Sequence, residues 1–183
     1  MKKEFFKRLR TANVARDKEW SEAEQTAFTP MFFANGILGE VGELANLLKK
    51  LERERMGKTG SRAAPAAVGE ELADVVIYTD LLAWTLGIEF GTQLPSWPPA
   101  ERVNYSRLGA GLGKNVGRVC ALMLEYEGKY NRQPLTLVRE PIYGIITQAK
   151  LVADHMGLDF YKAVATKFNM TSEKYGMQTR LAL

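Results

Sequence analysis

The segment from Glu70 to Leu86 constrains this chain more than any other. Placed at about 100° per residue, Leu72, Val75, Ile77, Leu81, Trp84 and their apolar neighbours cover nearly the whole circumference of a helix. A helix that is apolar all round is buried, so other elements must surround it. No stretch alternates apolar and polar residues in the manner of a strand, and those surrounding elements are therefore helices as well. The expected fold is an all-α bundle of about five main helices, with residues 1–183 as one domain.

The remaining pattern supplies the other helices. Residues 1–18 look helical, and Trp20 to Pro30 reads as a loop or a short helix. Met31 to about Met56 is a long helix, followed by the loop Gly57 to Pro65. Gly87 fits the C-terminal cap of the Glu70–Leu86 helix. Gly91 to Ala100, with three prolines, is a linker. Helical patterns follow at Leu108–Glu127, Leu137–Met156 and Leu158–Tyr175, with a break at Asn131 to Pro134 and a cap at Gly157.

Composition removes several functional classes. The one cysteine, Cys120, excludes an intramolecular disulfide. The one histidine, His155, excludes zinc sites built on several His or Cys ligands and leaves little for a Ser-His-Asp triad. Gly57, Lys58 and Thr59 lack the upstream glycine and preceding strand of a phosphate-binding P-loop. No apolar run is long enough for a membrane span, and no apolar core follows the basic N-terminal residues as in a signal peptide, so a cytoplasmic protein is expected. The net charge of +4 suits a polyanionic ligand. Its cations are scattered among acids and not gathered on one helix face, which disfavours nucleic acid as the partner.

Four acids stand where burial is expected. On the Met31–Met56 helix, Ile37, Val41, Leu44, Leu47, Leu48 and Leu51 form an apolar stripe; Glu40 falls inside it and Glu43 at its edge. On the Glu70–Leu86 helix, Glu71 and Asp74 project between Tyr78, Leu81 and Leu82. Each pair is spaced i, i+3 and shares a helix face. Two such helices packed antiparallel can aim four carboxylates at one point. Bare buried carboxylates are costly and call for a cation, and oxygen-only ligands suit Mg²⁺, or Mn²⁺ in its place. Mg²⁺ also tends to bind substrate phosphates. A di-iron bundle would use Glu-x-x-His motifs, but the residue three before His155 is Val152.

Glu40-Val-Gly-Glu43 and Glu71-Leu-Ala-Asp74, with their apolar contexts and the closing stretch Lys167 to Met177, resemble the all-α nucleoside triphosphate pyrophosphohydrolases, the MazG-like group in particular. The resemblance covers roughly half the chain. It implies hydrolysis of a (d)NTP between its α and β phosphates to a monophosphate and pyrophosphate, in nucleotide-pool control. It implies Mg²⁺ held by Glu40, Glu43, Glu71 and Asp74, with Glu40 or Glu43 also orienting or deprotonating the attacking water. Lys50, Lys167 and Asn169 are the candidates for phosphate contacts. Trp20, Phe32, Phe33 and Asn35 are the candidates to flank base and sugar. The alternatives are a non-catalytic helical module that binds nucleotide or nucleic acid, and a dead scaffold of the same fold.

The chain departs from the simple family pattern between Gly91 and Glu140, where a degenerate copy of the first half is expected. Leu81–Phe90 aligns with Leu151–Phe160, and Val41–Leu48 with Val116–Met123. In that register Glu40 becomes Asn115, Glu43 becomes Arg118, Glu71 becomes Pro141 and Asp74 becomes Gly144. Residues 31–90 would be the active half, and 105–176 the degenerate half plus a phosphate-binding tail. Such a chain would act as a pseudo-dimeric monomer or as a simple homodimer.

Overall fold

The computed structural model describes residues 2–24, 28–90, 104–129 and 133–183. These form six helices and no strand: α1 (Lys2–Glu24), α2 (Pro30–Arg55), α3 (Pro65–Thr85), α4 (Tyr105–Lys129), α5 (Gln133–His155) and α6 (Phe160–Lys174). The expected all-α bundle is the observed one. The Gly91–Ala100 linker and the start of the Asn131–Pro134 break lie outside the described residues.

The helix starts follow local chemistry. Thr29 caps α2 by accepting a hydrogen bond from the Phe32 amide at 3.2 Å, with Pro30 in the first turn. Asp159 caps α6 by accepting from the amides of Tyr161 and Lys162. α3 begins at Pro65, five residues before the expected Glu70, because a proline followed by alanines makes a good first turn. α1 runs on to Glu24, so Trp20 stands in a helix where a loop or a short helix was expected.

Helices α2, α3, α5 and α4 pack in a ring, each against the next, around buried Leu44, Leu72, Val76, Val116, Met123 and Ile142. α1 and α6 pack on the other side of α3. α3 is thus enclosed by α2, α5, α1 and α6, which is why it is apolar all round. One buried ion pair locks α1 to α3. The Asp80 carboxylate, with no exposure, accepts from Arg10 Nε and Nη2 at 2.9–3.1 Å and from Asn13 Nδ2 at 2.9 Å. The stretch after α6 straps α1 to α6. Glu19 accepts from the amides of Gln178 and Thr179 and from the Thr179 hydroxyl, and Asn169 holds both backbone groups of Leu181.

The α2–α3 and α4–α5 hairpins share geometric details in the register of the sequence alignment. α3 and α5 end in the same turn: Gly87 at φ 67° and Gly157 at φ 66°. In both turns the next amide reaches back to a helical carbonyl, Ile88 to Ala83 at 2.7 Å and Leu158 to Ala153 at 2.9 Å. Gly36 approaches Tyr78 so closely that an added Cβ would stand 2.8 Å from the ring. At the equivalent positions, a Cβ on Gly111 would stand 3.1 Å from the Gln148 amide. No helix among the described residues is long and apolar enough to cross a membrane.

Candidate metal centre

α1, α2, α3 and α6 line an open-mouthed cavity of about 730 Å³, room for a nucleotide-sized ligand. α2 and α3 run antiparallel here, with Gly36 against Tyr78 and Glu40 against Glu71. The i, i+3 spacing on each helix brings Glu40, Glu43 and Glu71 together, with one oxygen from each lying within 4.8 Å of the others. Asp74 lines the same cavity but stands outside that group of three. Its Oδ2 carries the Lys167 ammonium of α6 at 2.9 Å, and Lys167 also lies 3.6 Å from Glu70.

The electrostatics show a site short of positive charge. The Glu40 carboxyl is pushed up to about 7, by burial first and then by the charges of Asp74, Glu71 and Glu43. Glu71 and Asp74 are also raised, in both cases chiefly by burial, with Lys167 opposing the shift. Glu40 and Glu71 share a hydrogen bond that favours the proton on Glu40. Three carboxylates crowded against one another, with the nearest cation committed to a fourth, fit a divalent ion coordinated by oxygen.

The chain matches no family model, no curated protein and no solved structure.

Of the expected site residues, Glu40, Glu43, Glu71, Asp74, Lys167, Trp20, Phe32 and Phe33 line this one cavity. Three do not. Lys50 lies two turns beyond Glu43, about 10 Å along α2 and past the end of the cavity. Asn169 follows Lys167 by two residues, which turns it about 200° away on α6; both ends of its amide are used on Leu181. Asn35 is exposed for the same reason, two residues after the buried Phe33. The expected phosphate set thus reduces to Lys167, and the base-flanking set loses Asn35.

α1 supplies residues absent from the expected set. Arg16, 4% exposed, donates to the Phe168 carbonyl at 2.9 Å, and its guanidinium carbon lies 3.6 Å from the centre of the Phe168 ring. Burial lowers it to about 10, which leaves it charged, and it faces the field of Asp74. Asn13, one turn before it, and Asp17, the next residue, also line the cavity. Burial alone raises the Asp17 carboxyl. From α6, Met170, Thr171, Lys174 and Tyr175 complete the wall, and the Tyr175 ring lies 5.6 Å from that of Trp20.

The cavity is polar at one end and aromatic at the other. Phe33 precedes Glu40 by seven residues on α2, about 10 Å. On antiparallel α3, Ile77 and Leu81 lie one and two turns beyond Asp74 in the same direction. Phe28 stacks on Phe32 there, with ring centres 4.3 Å apart.

Proposed function

We propose that this protein is a Mg²⁺-dependent nucleoside triphosphate pyrophosphohydrolase, releasing a (d)NMP and pyrophosphate. One observation carries the reading: a nucleotide-sized cavity with a crowded carboxylate cluster and a lysine at one end and aromatic side chains about 10 Å away. That separation suits phosphates beside the acids and a base among the rings. The resemblance of the two acid pairs to the MazG-like group supports the same reading.

Glu40, Glu43 and Glu71 would hold the ion, joined by Asp74 when Lys167 leaves it; Mn²⁺ would fit the same oxygen donors. The bound ion supplies Lewis-acid stabilisation of charge on the phosphoryl oxygens. Lys167 exchanges its partner Asp74 for a substrate phosphate, a short move for an ammonium already in the cavity. Glu40 or Glu43 orients the attacking water and takes its proton. The water oxygen bonds to phosphorus, the bond from that phosphorus to the α,β-bridging oxygen breaks, and pyrophosphate leaves. Arg16 fixes α6 in register through the Phe168 carbonyl and ring, so that Lys167 faces the acids. The aromatic end takes the base by stacking.

The test is a panel of the common NTPs and dNTPs, with Mg²⁺ or EDTA, wild type beside Glu43→Gln. Metal-dependent release of monophosphate and pyrophosphate, lost in the variant, is expected. No turnover of any nucleotide, or release of diphosphate and phosphate in their place, would sink the proposal.

A further inference from the structure

Asn13 is 1% exposed and lines the cavity. Its amide orientation is fixed by chemistry: Nδ2 donates to the Asp80 carboxylate at 2.9 Å and approaches the Ile77 carbonyl at 3.4 Å, both of which only accept. Asn13 Oδ1 is left buried without a partner. An orphaned buried acceptor is uncommon and asks for an explanation in what the site binds. One turn further along α1, Asp17 faces the same cavity, largely buried and with no hydrogen bond or ion pair to any described residue. Two acceptors one turn apart, neither with a partner among the described residues, match a ligand that brings N–H groups.

The place of Asn13 in the cavity says which part of the ligand. Asn13 meets α3 at Ile77 and Asp80, beyond the last cavity carboxylate, Asp74, and beside the apolar end. On the pyrophosphohydrolase reading, which this inference rests on, the phosphates lie at the acids and the base lies here. We infer that Asn13 Oδ1 and the Asp17 carboxyl group accept hydrogen bonds from an exocyclic amine of the base. The protein therefore selects amino-bearing bases, cytosine and adenine, over their keto counterparts, uracil and hypoxanthine. A keto oxygen in that position would face two acceptors, an arrangement that rejects as well as failing to attract.

The experiment compares kcat/KM within matched pairs, CTP against UTP and ATP against ITP, for wild type and for Asp17→Asn, which keeps the shape of the side chain. CTP against dCTP serves as the sugar control, and Asn13→Ala, with its Tm recorded, as a second variant. The expected result is a preference for the amino member of about tenfold or more in each pair that is hydrolysed. Asp17→Asn should cut that preference at least about tenfold, through the amino member, while turnover of the keto member is kept. Equal use or a keto preference overturns the inference while leaving the pyrophosphohydrolase reading intact. So does an Asp17→Asn effect confined to the CTP/dCTP ratio, which would assign the pair to a sugar hydroxyl. No turnover of any nucleotide by wild type overturns the parent reading and this one with it.

Discussion

The α2–α3 and α4–α5 hairpins share a turn, a close glycine contact and a place in the same ring, yet they treat charge in opposite ways. In the first, Glu40, Glu43 and Glu71 crowd together with no ion pair to any described residue, and Asp74 holds Lys167. In the second, the equivalent positions settle their needs internally. Asn115 occupies the space in front of Gly144, its amide 2.7–2.8 Å from where a Cβ would stand, so an aspartate there has no room. Arg118 pairs with Glu140 at 2.7 Å in the open. Asp80, buried and locked to α1, corresponds to Lys150, which pairs with its own helix neighbour Asp154. The difference teaches that the first hairpin is completed from outside, by α1 and by α6. The second is complete with its own side chains.

The sharpest break in that comparison comes from activity. Glu43→Gln should lower pyrophosphate release by more than the roughly 10–100-fold typical of residues around a metal's ligands; Arg118→Gln, its counterpart, should leave kcat/KM unchanged. Next is the buried pair. Asp80→Ala should cost about 3–5 kcal/mol by stranding Arg10, measured by urea unfolding, whereas Lys150→Ala should cost far less. Gly36→Ala should cost about 1–3 kcal/mol by pressing a Cβ into the Tyr78 ring. Gly111→Ala should cost less, since the Gln148 amide can swing aside.

The pH dependence separates the hairpins more finely. Glu40 titrates at about 7 when folded, against 4.5 ordinarily. Between those values the folded protein holds a proton that the unfolded chain has lost, so this group makes the metal-free protein more stable as pH falls from about 7 towards 4.5. The Tm measured in EDTA should show this slope in wild type and a weaker one in Glu40→Gln, and Mg²⁺ should raise the Tm of wild type more than that of the variant. Smallest of all is Arg118→Ala, which removes only an exposed ion pair and should give no resolvable change in Tm.

Much of this was legible in the residues, and the failures have a common cause. Acids inside apolar stripes marked Glu40, Glu71 and Asp74 because burial of charge breaks helix periodicity. The same signal stands at Asp80, between Ile77 and Leu81, although Asp80 belongs to no i, i+3 acid pair. Apart from Trp20, α1 gave no signal. Asn13, Arg16 and Asp17 look like a solvated face until α3 and α6 cover them, and no local pattern records what packs on a polar stripe. Asn169 and Asn35 stand two positions along a helix from residues that face the cavity, which is the other side of it, and Lys50 stands two turns beyond Glu43, past the end of the cavity.

The strap between Glu19 and residues 178–179 has a temporal consequence. The cavity needs Asn13 and Arg16 from one end of this chain and Lys167 to Tyr175 from the other, stitched together across some 160 positions. A ribosome emitting the chain from its N-terminus can fold the α2–α3 hairpin early, carboxylates included, but it cannot wall them in until α6 and the strap emerge. The acids are therefore born open to solvent, and the compartment around them closes only after α6 and the strap have emerged.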